Sequence, residues 1–441
     1  MNNQPSELPE KIRQQFDTAP YPRIPLEKSP KGDPYELYIH NIVTPYYLRN
    51  QKFIDTQDKV ILDAGCGTGY KGLLLAEANP GAKIVGIDIS KNSIDLAQER
   101  AKYHNVRNVD FQVLSIENLF QLNLKFDYIN CDEILYLLPN PSIGLQAMKS
   151  VLKPEGIIRT NLHNVLQRVH CYRAQEVFKM MGFMDENPGE LEIGLVRETM
   201  MALKDDVPLK ANTWKSACAT EDEVILMNYL FQGDKGYTIS EMFSALRESN
   251  LEFISMVNWR QWNLMNLFKE PENLPVFLGM TLPEISTEEQ LHLFELINPV
   301  HRLIDFWCGH PNEAQPFLPV AEWQMPDWQG ARVHLHPQVR TPALKEELVR
   351  CVTHLTPFNI SRYLNVADVS VSIGDSTLVA SLLPLWEEAQ PLSVLVERSL
   401  TLRPLHPATL EPTSEQEAFD YVRSALARLE SLGYLLLERG V

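Results

Sequence analysis

The sequence predicts an α/β domain with a parallel sheet covered by helices on both faces, a helical insertion, and a mostly helical second domain. Three observations predict it. Short apolar runs alternate with helical segments between residues 59 and 162, the arrangement that parallel βαβ units produce. That alternation stops after Asn164. Prolines then crowd the stretch between 271 and 412, which marks a loop-rich second half.

The elements follow in order. The first 34 residues are polar and proline-rich apart from Phe16 and Ala19-Pro20-Tyr21-Pro22, so they need another surface to cover. A helix is expected over 35–50, with Tyr38, Ile39, Ile42, Val43, Tyr46 and Tyr47 on its apolar side. Lys59-Val-Ile-Leu-Asp63 is a short apolar run stopped by glycines, hence a buried strand. Segment 70–79 reads as a helix, 83–88 as a strand and 90–104 as a helix capped by Ser90. Strands follow at 110–114, 126–131 and 156–162, with a helix at 141–152 that opens on proline. Segment 165–235 is helical and Met-rich, its methionines more suited to adaptable packing than to a specific site. A helix at 238–250 and a strand at 251–257 return the chain to the sheet. Near the end, 376–385 reads as a short helix. Ser414-x-x-Glu417 is a capping box that opens a helix ending at Gly433, and 434–438 reads as a strand.

The 441 residues carry 40 Lys and Arg against 57 Asp and Glu, a net charge of −17. With no basic run, nucleic acid and anionic membranes are poor partners. There is no signal-peptide core and no membrane-length apolar stretch, and the six cysteines are scattered without a CxxC. These features lead us to expect a cytoplasmic protein with reduced thiols. The histidines and cysteine at 301, 308, 310, 334 and 336 match no zinc spacing, so no metal is expected.

Chemistry concentrates at Asp63-Ala-Gly65-Cys66-Gly67-Thr-Gly69, where a strand gives way to a helix. Glycines let the backbone turn and approach a ligand, and the helix N-terminus offers donors and partial positive charge. Gly67-x-Gly69-x-x-Gly72 also fits a dinucleotide fingerprint, so a dehydrogenase of the NAD type is one reading. Asp63 argues the other way, because it would repel a pyrophosphate but suit an ammonium. Asp88 ends the next strand at a position suited to ribose hydroxyls, and Ile89 follows ready to pack on an adenine face.

VILDAGCGTGY, IVGIDIS, FQVLSIENL, FDYINCDEILYLLPNP and VLKPEGII occur in one order and spacing across 58–163. This set resembles class I S-adenosylmethionine-dependent methyltransferases. The resemblance implies a Rossmann-like seven-stranded sheet, S-adenosyl-L-methionine as cofactor, and methyl transfer to a small-molecule or protein nucleophile. By motif, Asp63 and Gly65 to Gly69 would hold the methionine part and Asp88 the ribose. Ile89 and Ile116 would flank the adenine, and Cys131 and Asp132 would face sulfur and substrate. Relatives often have an acid at the position of Ser115, which here can only hydrogen-bond. A second resemblance rests on Tyr21-Pro22, Gly236-Tyr237, Leu335-His336-Pro337 and Leu382-Leu-Pro-Leu385. It is to methyltransferases with a C-terminal regulatory domain, some linked to protein lysine methylation. Cys131-Asp-Glu-Ile-Leu-Tyr136 departs from their aromatic-rich sequence. A catalytically silent cofactor-binding module is a further alternative.

An amine, hydroxyl or carbon acceptor needs a base. The candidates are Asp132, Glu133 and His163, with Tyr136, Phe16 and Tyr21 as substrate or lid residues. The expected organisation is a cap segment and helix at 1–50, the methyltransferase core at 51–164 and a helical lid at 165–235. The end of the core is expected at 236–270. A regulatory or interaction domain at 275–441 follows, winged-helix-like near its end. Both 165–235 and the N-terminal segment are expected to lie over the strand ends.

Overall fold

The computed structural model describes residues 8–18, 21–311, 317–366 and 370–440; Ala19 and Pro20 of the apolar N-terminal cluster lie outside them. The chain forms two compact units, the first from 1–28, 59–73 and 83–312, the second from 29–58, 74–82 and 313–441.

The first unit holds a sheet built from Val60–Ala64 (β1), Lys83–Asp88 (β2), Val109–Val113 (β3), Phe126–Cys131 (β4), Leu152–Asn164 (β5), Gly236–Tyr237 (β6), Glu252–Met256 (β7) and Leu303–Gly309 (β8). Seven of these run in the order β3-β2-β1-β4-β5-β8-β7, and β6 pairs with the end of β5. Strands β1 to β5 run parallel to one another, and β8 is antiparallel to both β5 and β7. The near-continuous apolar runs of β1, β2 and β4 fit strands covered on both faces. Helices Lys91–Tyr103, Pro141–Val151 and Ile239–Glu248 supply part of that cover. Their N-termini are capped by Ser90, Asn140 and Thr238, whose side chains accept backbone N–H bonds.

The expected boundary at 270–275 does not coincide with a structural one. Strand β8 lies beyond it, inserted between β5 and β7. Its run Leu303-Ile-Asp-Phe-Trp-Cys-Gly309 is apolar and bounded by Pro299 and Pro311, a strand signal absent from the reading above. Arg159 on β5 and Asp305 on β8 form a buried ion pair at 2.7 Å, and Trp307 Nε1 donates to the Tyr128 hydroxyl at 3.0 Å. Removing one partner of such a buried pair costs about 3–5 kcal/mol. The wholly buried Glu295 accepts from Asn164 Nδ2 at 2.9 Å and from Ile239 N at 2.8 Å, which fastens segment 287–297 to the sheet. A chain cut at 270 would therefore leave the sheet open, with β5 bare on its β8 side and β7 without a partner.

Insertion 165–235 has its own apolar cluster, including Phe178, Val196, Met200, Ile225 and Tyr229. Met200 is buried there, whereas Met180 is 81% exposed.

In the second unit, the helix expected over 35–50 is two helices, Pro34–Ile39 and Val43–Asn50. They belong with residues 313–441 and not with a cap over the sheet, because Val43 and Tyr47 pack with Leu436, and the Tyr38 hydroxyl donates to the Gly433 carbonyl. Strands Gln390–Pro391, Arg332–Leu335 and Leu435–Glu438 form an antiparallel three-stranded sheet. The Ser414–Glu417 capping box opens helix Glu415–Ser431, as its spacing implies. His334 pairs with Glu438 and stacks on Phe53, and His336 stacks on Tyr38, so both rings serve packing.

No helix among the described residues is long and apolar enough to cross a membrane. Among them, no group of three or more His, Cys, Asp or Glu could hold a metal ion.

Candidate active site

Asp63 stands near the carboxyl end of β1, opposite Asn130 on β4. Its Oδ1 accepts from Asn130 Nδ2 at 2.9 Å, while Oδ2 is buried with no hydrogen-bond partner. Burial pushes this carboxyl up to about 7. An unpartnered buried carboxylate oxygen is costly and marks a place where a cationic group would be welcome.

The loop after it turns through Gly65, Gly67 and Gly69, all at positive φ. Gly65 and Cys66 donate their backbone N–H groups to the Ile87 carbonyl, each at 2.8 Å. Gly67 N donates to Asp88 Oδ2 at 3.0 Å, and Ser90 N donates to Asp88 Oδ1 at 2.8 Å. These bonds fix Asp88 at the loop and leave lone pairs for hydroxyl donors, against a burial that raises its pKa. A side chain at Gly67 would run into the Tyr21 carbonyl, so the N-terminal segment lies directly against the glycine loop.

Ile89 is half-buried, and Ile116 is buried at the start of the turn after β3. The Ser115 hydroxyl accepts from Asn118 Nδ2 at 2.9 Å. The side chains of Cys66 and Cys131 are both buried. Cys131 is wholly buried in the core, and burial pushes its thiol up to about 12. The Cys66 thiol packs with Leu73, Ile94 and Phe111. Both thiols therefore face the interior, and only the backbone of Cys66 shapes the loop.

The loop after β4 carries the other half of the site. Asp132 pairs with Lys71 at 3.3 Å and accepts from Asn161 Nδ2 at 2.6 Å. Glu133 has φ +61, a strained conformation for a side-chain-bearing residue. It is held there because its N–H donates to Asn161 Oδ1 at 2.8 Å and its carboxylate receives the Arg302 guanidinium and the Tyr136 hydroxyl. Burial works against ionisation of Glu133, but contacts with His163 and Arg302 win and draw it down to about 2.

His163, nearly at the end of β5, lies under the Tyr136 ring with centroids 3.8 Å apart. Arg302 Nη1 lies 3.1 Å from His163 Nε2, and Asp234 Oδ1 lies 2.6 Å from Nδ1. A guanidinium can only donate, so in the neutral ring Nε2 accepts from Arg302 and the proton sits on Nδ1, donated to Asp234, whereas the protonated ring also presents Nε2–H to Glu133, 3.5 Å away. Asp234 also receives Arg168 Nη2 at 2.7 Å and Gln175 Nε2 at 2.9 Å. Burial opposes its charge, yet these donors hold its pKa down to about 2.

A cavity of about 530 Å³ opens here, with Tyr21, Glu133, Tyr136, His163, Phe231 and Arg302 among its walls. The Phe16 ring packs edge-on to Phe231 at 6.2 Å and lies 6.4 Å from Tyr21. The sequence-chosen residues thus gather in two adjoining groups, one around Asp63 and Asp88, the other around Glu133 and His163. Asn130, Asn161, Arg168, Asp234 and Arg302 were missed. Asn130 lies inside a quoted motif, beside Cys131, whereas Asn161, Arg168, Asp234 and Arg302 fall outside the quoted motifs and come from distant segments.

The site fits the cofactor that the resemblance implies. Asp63 Oδ2 suits the ammonium of a methionine moiety, the glycine loop admits close approach, and Asp88 can accept from ribose hydroxyls.

Residues 55–241 match the family described as a methyltransferase domain. An uncharacterized protein of Synechococcus sp. is 27% identical over 325 residues, 72% of this chain and 75% of that protein. A ubiquinone biosynthesis O-methyltransferase of Coxiella burnetii is 31% identical over 156 residues, 35% of this chain, and the chain spans 64% of that enzyme's length. The structure of PKMT2 from Rickettsia typhi in complex with AdoHcy has a TM-score of 0.59 at 17% identity, covering 95% of this chain and 77% of that one. With the sheet order and the glycine loop, these findings show that residues 55–241 carry a methyltransferase domain of the class I S-adenosylmethionine-dependent kind, with S-adenosyl-L-methionine as its cofactor.

Proposed function

We propose that the methyl acceptor sits in the cavity between Tyr21, Tyr136 and Phe231 and presents a hydroxyl whose proton passes to His163 Nε2. The observation that carries this reading is the Asp234–His163 hydrogen bond at the cavity wall. Asp234 keeps the ring proton on Nδ1 and so leaves the Nε2 lone pair facing the cavity. Arg302 must release Nε2 for this to happen, and its ion pair with Glu133 gives it somewhere to stay.

When bound, S-adenosyl-L-methionine supplies a methyl on a sulfonium, an electrophile that needs no metal. The chain's own residues bind, orient and exclude water. Asp63 and Asp88 fix the ligand's ends, and the aromatic walls position the acceptor, which accounts for a large part of the rate in such reactions. Phe16, Tyr21 and insertion 165–235 act as the cover that keeps water out. Asp132 is tied to Lys71 and Asn161, and Glu133 to Arg302, so both serve better to hold the loop than to take a proton. An oxygen acceptor is in keeping with the O-methyltransferase named above. The aromatic walls suit a ring-bearing small molecule, and about 530 Å³ is within the range of small-molecule sites.

A second reading, a protein amine, has its own support: burial and then Glu133, Glu223 and Asp132 push the Tyr21 phenol up to about 12, outweighing Arg302, so three carboxylates act at this wall of the cavity. That acidic surrounding would attract an alkylammonium. Labelled-methyl transfer into a cell lysate, split into protein and small-molecule fractions, separates the two. Label in the small-molecule fraction that disappears with His163→Ala is the expected result. Label confined to protein overturns the first reading in favour of the second.

A further inference from the structure

Residues 21–26 cross the glycine loop as a strap, yet all of them are half-buried or exposed and none is fully buried. Their position depends on hydrogen bonds to backbone carbonyls. Thr68 N donates to Tyr21 O at 3.2 Å, and Thr68 Oγ1 donates to Pro22 O at 2.8 Å. Arg100, which is only 3% exposed, spends its whole fork here. Nη2 donates to Ile24 O at 2.7 Å, Nη1 to Pro25 O at 2.9 Å, and Nε to Thr68 O at 3.0 Å. His104, one turn further along, reaches Leu26 O at 2.8 Å. On one side the strap borders an open recess of about 540 Å³, where no packing restrains it.

We propose that Arg100 is a positioning residue that latches the 21–26 strap onto the glycine loop and thereby sets how long the cofactor stays bound. The geometry is specific to a guanidinium. A planar fork can reach three carbonyls on two segments at once, whereas an ammonium cannot match that arrangement. Arg100 lies on the helix that follows Asp88, so one side chain links the strap, the glycine loop and the ribose-side helix. Tyr21 is also the residue whose carbonyl meets Gly67 and whose ring lines the acceptor cavity, so the latch acts on both halves of the site.

The test uses the full chain, with Arg100→Lys and, as a milder change at the strap's far end, His104→Ala. Amide hydrogen exchange without cofactor reads the strap directly at Arg23, Ile24 and Leu26. Stopped-flow release of S-adenosylhomocysteine reads residence time. Arg100→Lys should speed exchange at those amides and at Thr68 by at least about ten-fold while β5 stays protected. It should also speed ligand release by a similar factor. His104→Ala should move both in the same direction by about three-fold. A folded Arg100→Lys protein with wild-type strap exchange and release rate overturns the latch. So does faster exchange spread evenly over the sheet, which signals loss of stability alone. Should Arg100→Lys not fold, unchanged strap exchange in His104→Ala overturns it as well.

Discussion

Asp63 and Asp234 are both buried carboxylates at the ligand-facing end of one sheet, and their surroundings drive them in opposite directions. Asp63 has a single neutral donor, Asn130, and burial lifts it to about 7. Asp234 has three donors, two of them on His163 and Arg168, and falls to about 2. The difference separates two tasks. The Asp63 pocket is electrostatically incomplete until a cation arrives. The Asp234 cluster is complete by itself and orients the His163 ring with Nδ1 toward Asp234. One half of the site is built to bind, the other to stay aligned.

The comparison breaks most sharply at Asp234. Asp234→Asn removes the charge that fixes the His163 tautomer and leaves Arg168 buried beside a neutral amide. Comparable changes to an aligned acid–base group cost about 10² to 10⁴ in turnover. We expect kcat with the true acceptor to fall by at least about 100-fold, while calorimetry finds S-adenosylhomocysteine affinity within about two- to three-fold of wild type, because Asp234 shares no hydrogen-bond partner with Asp63 or Asp88. Equal losses in both measurements would mean that the two halves are not separate. The same substitution should lower stability by about 3–5 kcal/mol through the stranded Arg168, measurable by urea unfolding.

Next in size is Gly67→Val. It places a branched side chain at φ +49 and against the Tyr21 carbonyl. Strain of about 1–3 kcal/mol adds to displacement of the strap. Cofactor affinity should drop by roughly 100-fold, read by the same titration. Wild-type affinity in this variant would remove the glycine loop from the site.

Asp63→Asn sharpens the contrast from the other side. The amide can still accept from Asn130 but loses its attraction for an ammonium. The charged hydrogen bond is worth about 1.5–3 kcal/mol, so binding should weaken by about ten- to a hundred-fold. The cofactor-free variant should be more stable than wild type at pH 8, because it no longer buries an ionised, half-partnered group. A thermal midpoint below that of wild type at pH 8 would contradict this account of Asp63.

How far the site could be read from sequence follows the same division. Asp63, Gly65, Gly67, Gly69 and Asp88 lie within two consecutive βαβ turns, so local pattern and spacing reveal them. Glu133, His163, Arg168, Asp234 and Arg302 meet only because the sheet places β5 between β4 and β8. Residue type suggested Glu133 and His163, but their partners come from the insertion's end and from the turn before β8. The same cause hid the boundary of the first unit. Strand β8 pairs across more than 130 residues with β5, and nothing local announces that pairing. The 29–58 segment was misassigned for a like reason: its apolar face is legible, but its partners at 313–441 are not.

The smallest predicted effect is a pH dependence, and it isolates Asp63 from Asp234. Asp234 has a folded pKa below the ordinary carboxylate value of 3.8. Its contribution to stability is therefore present above about pH 4 and lost as pH falls toward 2. Between pH 5.5 and 8 it stays ionised and contributes no slope. Asp63 has the opposite sign. Its folded pKa lies above 3.8, at about 7, so its burden on the free protein is absent below about pH 4 and grows as pH rises through 7. A bound ammonium favours the ionised form and must first displace the proton. S-adenosylhomocysteine should thus bind more tightly as pH rises, by roughly five-fold from pH 6 to 7 for a single group titrating at about 7, and should level off above 8. Titrations in two buffers of different ionisation enthalpy should show a proton released on binding near pH 6. Asp63→Asn should flatten the profile and abolish that release, and Asp234→Asn should leave both intact. A slope that survives in Asp63→Asn would place the titrating group elsewhere and remove the physical basis for reading Asp63 as the open half of the site.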